Sequence, residues 1–228
     1  MQVELFSGNS MRAALAELAP VFERTTGHTY RASYDPARIV LRRIDNGESA
    51  DLALLGEDVI DQLIERGTLI GSSRRALVRN GIGLAVRSGA PRPDIGTTES
   101  FVRTLRRAPS IAYTSEGASG VYFAALIERL GIGEEVRAKA RTQPGGLVAE
   151  LIVAGHAEFA IQQLPELLAV PGIDVVGALP PELQKIGTTA AAIFTRSQAP
   201  EAAARLIDFL GSAPAQEVLR AKGFEPAS

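Results

Sequence analysis

The chain has 228 residues, 46% of them apolar and 22% charged, and its 24 Lys and Arg against 26 Asp and Glu leave a net charge of −2. This is an ordinary globular balance without the basic field that nucleic acid or an anionic membrane would require. Cysteine is absent, which removes disulfides, thiolate zinc sites and cysteine nucleophiles, and His28 and His156 are too few for a histidine metal site.

In chain order, residues 3–6 form a short apolar strand, followed by the loop Ser7-Gly8-Asn9-Ser10. Met11, Ala14, Leu15, Leu18 and Phe22 then recur at helical spacing up to Gly27. Residues 29–33 read as a strand, Asp35-Pro36 as a turn, 39–45 as a helix stopped by Asn46-Gly47, 51–55 as a buried strand and 59–66 as an amphipathic helix. A further strand at 82–86 runs into Ser88-Gly89-Ala90-Pro91-Arg92-Pro93, where a crossing between lobes is expected. Beyond it come a helix at 99–107, a strand at 111–113, a loop at 114–120, a helix at 121–130 and a strand at 138–142. Gln143-Pro144-Gly145-Gly146 reads as loop, 147–154 as helix and 158–162 as strand. Pro180-Pro181 marks a second break before a strand at 189–195 and closing helices at 201–210 and 215–221. Strands alternating with helices imply mostly parallel sheets. No run nears the roughly 20 apolar residues of a membrane span. There is no fixed-period repeat.

Chemistry concentrates at one recurring junction, a strand followed by a Gly/Ser/Asn-rich loop and then a helix. It occurs at Ser7–Ser10, at 115–120 and at 143–146, with a charged variant at Tyr34–Arg38. In an open α/β sheet such loops lie at the carboxyl ends of strands, where helix starts offer unpaired N–H groups and a positive dipole end to an anion. Each loop also reads as an ordinary helix cap. Arg38 has the geometry to pair bidentately with a carboxylate, or to remain a solvated arginine beside Arg42 and Arg43. Gln162 and Gln163 place two amides at a strand end, and Tyr34 and Tyr122 suit either a ligand cover or core packing. Glu116 and Asp35 are the carboxylates available as bases. Gly117-Ala118-Ser119-Gly120-Val121 fails as a nucleophile elbow at its fifth position, and phosphate-loop, dinucleotide and zinc-protease motifs are all absent. No catalytic constellation, metal site or cofactor is expected.

Four stretches carry a resemblance: Leu5-Phe6-Ser7-Gly8 with the helix that follows; Ile44-Asp45-Asn46-Gly47-Glu48-Ser49-Ala50-Asp51-Leu52; Gly117-Ala118-Ser119-Gly120-Val121-Tyr122-Phe123; and Ala204-Arg205-Leu206-Ile207-Asp208-Phe209-Leu210 through Gly223-Phe224-Glu225-Pro226. Together they resemble, over nearly the whole chain, the molybdate-type branch of the bacterial ABC-transporter solute-binding proteins. The resemblance implies an α/β, two-lobed type II periplasmic-binding-protein fold, each lobe a mostly parallel sheet flanked by helices. Lobe I is expected at 1–85 and 187–228 and lobe II at 86–186, with the ligand cleft between them. The expected ligand contacts are Ser7, Asn9, Ser10, Arg38, Ser119, Gly145 and Gln163. The family's hydroxyl pair before the second helix is replaced here by Pro36-Ala37 beside Arg38, and Gln163 stands at a tyrosine position, so a carboxylate-bearing ligand fits better than molybdate.

The primary expectation is a monomeric solute-binding protein for a small oxyanion or carboxylate, serving an ABC permease. The alternative is an isomerase of the same fold acting on a small tricarboxylic acid, of the aconitate isomerase kind. A cytosolic ligand sensor is the third. Met1 is followed almost at once by strand residues rather than a leader. A chain from which a leader was removed would be periplasmic, and one native as written cytoplasmic.

Overall fold

A computed structural model of the chain describes residues 1–227. They divide into two units, residues 1–80 with 187–227, and residues 81–186.

Unit 1 contains β1 (Gln2–Ser7), α1 (Arg12–Thr26), β2 (Thr29–Tyr34), α2 (Ala37–Asp45), β3 (Leu52–Gly56), α3 (Glu57–Glu65) and β4 (Arg75–Asn80). The chain then builds unit 2 from β5 (Ile82–Arg87), α4 (Thr98–Arg107), β6 (Ile111–Thr114), α5 (Ala118–Arg129), α6 (Gly133–Arg137), β7 (Ala140–Gln143), α7 (Glu150–Val153), β8 (Phe159–Gln163), α8 (Leu164–Leu168) and β9 (Ile173–Ala178). It returns to unit 1 with β10 (Gly187–Ile193), α9 (Pro200–Leu210), α10 (Ala213–Ala221) and β11 (Glu225–Pro226).

The first sheet runs β11-β4-β10-β3-β1-β2 and the second β7-β6-β8-β5-β9. β1 pairs in parallel with β2 and β3, and β6 with β7 and β8. β10 runs antiparallel to β3 and β4, and β5 antiparallel to β8 and β9. Both sheets are therefore mixed: β10 and β11 run against the other strands of the first, and β5 against the other strands of the second. The first crossing between the units lies at Asn80–Gly81, ahead of the Pro/Gly cluster at 88–93 and a few residues from the expected boundary at residue 85. The reason is pairing: all of β5 is hydrogen-bonded within the second sheet. β4 and β9 were missed in the sequence. Arg75, Arg79 and Asn80 break the apolar run of the first, and Gly177 interrupts the second.

Alternation along the strands builds a core on each sheet face. In unit 1, Val3, Leu5, Leu52 and Leu54 pack against Leu15, Leu18 and Phe22 of α1 and Leu206 of α9. Phe6, Ala53 and Leu55 face Val40 of α2 and Ile60 and Leu63 of α3. Consequently α1 and α2 cover opposite faces, and their starts flank the carboxyl ends of β1 and β2. In unit 2 one face is filled by Phe101, Phe123 and Ile161, while the other uses Ala85, Ala112 and Ala160 under Ile152 and Leu167.

Asp51 ties unit 1 together at the other edge. Its Oδ2 accepts from the Glu4 amide at 2.8 Å, and its Oδ1 accepts from the Ser197 hydroxyl and the Gln198 and Ala199 amides at 2.7, 2.8 and 3.0 Å. One buried carboxylate thus links β1, β3 and the start of α9. Burial raises its pKa, yet these hydrogen bonds hold it below the ordinary carboxylate range.

Candidate functional site

In unit 1, β1 and β2 end side by side, with Ser7 in register with Tyr34. The Asp35 amide donates to the Ser7 carbonyl and the Gly8 amide to the Leu54 carbonyl, both at 3.1 Å, so the two strand-end loops and β3 are locked together. Ser7 is buried, and its hydroxyl donates to the Gly8 carbonyl at 3.2 Å. Asn9 and Ser10 lie half-buried in a 3-10 turn, Asn9–Met11, that leads into α1. Arg38 is exposed in the first turn of α2. The structure thus brings Ser7, Asn9, Ser10 and Arg38 to one edge of one sheet.

Asp35 is not available as a base. Its carboxylate accepts from Arg43 Nη1 at 2.7 Å, and the same guanidinium holds Glu48 at 2.9 Å and lies 4.3 Å over the Phe6 ring. Sequence reading also passed over Arg12, the first residue of α1, whose guanidinium carbon is 4.3 Å from the centroid of the Tyr34 ring. Burial raises the Tyr34 pKa, and Arg12 offsets part of that rise.

In unit 2 the expected residues again share an edge. Ser119 and Gly145 follow the ends of β6 and β7, and Gln163 is the last residue of β8, the three strands being neighbours in the sheet. Ser119 is buried in the first turn of α5, where backbone N–H groups have no intrahelical acceptor. Gly120 is demanded by packing, since a Cβ there would stand 1.7 Å from the Thr114 carbonyl oxygen. Beneath the same turn Thr114 Oγ1 is buried without a hydrogen-bond partner among the described residues. Nothing in the sequence distinguished that threonine from other strand residues.

Gln162 has a different role from the one expected. It is buried, its Oε1 accepts from the Val148 amide at 3.0 Å, and its Nε2 donates to the Gly146 carbonyl at 2.7 Å. Gln143 Nε2 donates to the Gly145 carbonyl at 2.9 Å. These amides shape the Gly145 loop from below, leaving Gln163 as the half-buried amide at the strand end. Glu166, 7% exposed in the first turn of α8, completes the group. Burial pushes its pKa up to about 8, against hydrogen bonds from the Gln163 backbone and the Gln162 side chain. Tyr122 belongs to the packing, its hydroxyl donating to the Leu183 carbonyl at 2.9 Å.

No side-chain cap bonds the starts of α1, α2 or α5, and none of these first turns holds an acidic residue. By contrast, α4 carries a full capping box from Thr97 and Ser100 as well as Glu99 in its first turn. These three helix starts at strand ends therefore have neither a side-chain cap nor an acidic residue to offset the positive end of the helix. A recess of about 360 Å³ in unit 1, lined in part by Asp45, Glu48, Arg66 and Arg196, contains none of the expected residues, and its Arg66 and Asp45 are paired with each other. No cluster suited to a metal occurs among the described residues.

Residues 3–225 match the family model described as bacterial extracellular solute-binding protein. The chain belongs to that family. This solute-binding family member is similar to a protein named aconitate isomerase from a Pseudomonas species, at 35% identity over 97% of this chain and 87% of the relative. It is also 24% identical to a molybdate-binding protein from Azotobacter vinelandii, over 98% of this chain and 89% of that one. The solved periplasmic molybdate-binding protein of Azotobacter vinelandii superposes with a TM-score of 0.81 at 16% identity, covering 98% of both chains. The fold is that of the type II periplasmic binding proteins, and this family member is a divergent one.

Proposed function

We propose that this solute-binding family member captures a small carboxylate-bearing anion at the strand-end loops and presents it to an ABC permease. The observation that carries the reading is Arg38. Its guanidinium is exposed in the first turn of an uncapped helix and has no carboxylate partner among the described residues. It stands beside Pro36-Ala37, where the family resemblance implies a hydroxyl pair for a tetrahedral oxyanion. A planar guanidinium fork pairs bidentately with a carboxylate, and the resemblance to molybdate binders implies neutral donors for their tetrahedral oxyanion. The relative at 35% identity supports the same ligand class, because its name is that of an enzyme of a carboxylic acid.

A thermal-shift and calorimetry panel of molybdate, tungstate, sulfate, phosphate and di- and tricarboxylates tests this. A true ligand at 100 times its Kd stabilises by about 2.7 kcal/mol. Arg38→Ala is expected to weaken the best carboxylate at least about tenfold. Tight oxyanion binding without carboxylate binding, or an unaffected Arg38→Ala protein, refutes the reading.

The same relative favours a second reading, isomerisation of a small tricarboxylic acid. Such a reaction moves a proton within one molecule and needs a base at the acidic C–H. Glu116, half-buried in the loop before α5, is the candidate. Interconversion of aconitate isomers followed by NMR, lost in Glu116→Gln while binding persists, would establish the enzyme. Binding without turnover leaves the receptor.

A further inference from the structure

We infer that Arg12 is a second guanidinium of the same anion site, so that unit 1 alone grips two carboxylates of a di- or tricarboxylate; this rests on the carboxylate reading of Arg38. Arg12 opens α1 and Arg38 lies in the first turn of α2, the helices that follow the adjacent parallel strands β1 and β2. Those helices cover opposite faces of the sheet. Side chains of a first turn lean back toward the helix start, so both arginines are carried toward the carboxyl ends of β1 and β2, where Arg12 lies over Tyr34.

Arg12 is also held in a usable posture. Its guanidinium carbon lies 4.3 Å from the Tyr34 ring centroid, and Tyr34 in turn packs on the core beneath α1. Stacking on an aromatic face leaves the edge N–H groups of the fork free for a carboxylate and lowers the ordering cost of binding.

Local charge points the same way. The acidic residue closest in sequence to Arg38 is Asp35, which is engaged by Arg43 together with Glu48. Arg31, Arg66, Arg74, Arg75 and Arg79 of this unit each pair with a carboxylate. Arg12 and Arg38 have no carboxylate partner among the described residues, and both helix starts are free of acidic residues. Arg24, at the far end of α1, is likewise without a carboxylate partner, but it has neither an aromatic platform nor a place at a strand end. Two cations at the ends of adjacent strands match a ligand with two separated anionic groups and leave one cation unused by a single oxyanion or a monocarboxylate.

Calorimetric titration of wild type, Arg12→Gln, Arg12→Lys, Tyr34→Leu and Arg24→Gln with citrate, aconitate, succinate and acetate tests the inference, circular dichroism confirming that each variant is folded. Arg12→Gln is expected to weaken the best polycarboxylate at least about tenfold, flatten its salt dependence and leave acetate nearly unchanged. Arg12→Lys should restore part of the loss, Tyr34→Leu should share it, and Arg24→Gln should bind as wild type. If wild type binds a polycarboxylate and Arg12→Gln binds it equally well, this inference falls while the carboxylate reading stands. If wild type binds oxyanions but no carboxylate, both fall.

Discussion

Glu166 makes stability depend on pH in a direction opposite to that of most carboxylates. It is 7% exposed, and no basic group offsets the burial that raises its pKa from 4.5 to about 8. The charged groups on the strands packed against α8 are engaged elsewhere. Arg87 of β5 donates to the carbonyls of Ile152 and Val153, and Asp174 of β9 accepts from Ser88 and Gly89. In the unfolded chain the carboxyl titrates normally, so between pH 4.5 and about 8 the folded state holds the extra proton. Stability from this group is fully present below pH 4.5, falls by about 1.4 kcal/mol per pH unit as pH rises, and levels off above pH 8 after a loss of about 5 kcal/mol. That is a large share of the roughly 5–15 kcal/mol by which domains are stable. Urea unfolding of wild type and Glu166→Gln at pH 5, 7 and 9 isolates it, because all other titrating groups are common to both proteins. The Gln variant should gain on wild type progressively across the series. Parallel profiles for the two proteins would refute the reasoning.

Asp51→Ala removes the acceptor of four hydrogen bonds, three of them from backbone amides, so it should destabilise by about 3 kcal/mol or more in chemical denaturation. The loss should be nearly as large in Asp51→Leu, which fills the space without accepting. Gly120→Ala places a Cβ 1.7 Å from a backbone oxygen and must push α5 off β6, which predicts a fall of several degrees in Tm and weaker ligand binding together. If Gly120→Ala melts like wild type, the close helix–strand contact is wrong.

Much of this was legible because period and punctuation agreed. The run from Met11 to Phe22 could only be a helix with one apolar face, and Gly27, at φ +71°, ends it. The strand-end loops were likewise readable as Ser, Asn and Gly between a strand and a helix. Less visible were contacts set by residues far apart in sequence. Arg12 reads as a charged first-turn residue until β2 brings Tyr34 beneath it. Glu166 reads as a solvated acid until β5, β8 and β9 close around its helix. Gln162 and Gln163 are alike in sequence, but strand alternation turns the first inward to hold a loop and leaves the second half-exposed. The crossing was placed at the Pro/Gly cluster because composition marks loops, whereas Asn80–Gly81 is defined only by which sheet β5 joins.

The order of the first sheet has a consequence for synthesis. β4 neighbours only β10 and β11 there, and both are translated after the whole of unit 2. A nascent chain that has emerged only to residue 186 therefore carries β1, β2 and β3 with β4 still detached, and two open sheet edges await a strand not yet made. Unit 2, contiguous in sequence, has every one of its strands by then, so it is the part equipped to finish first on the ribosome.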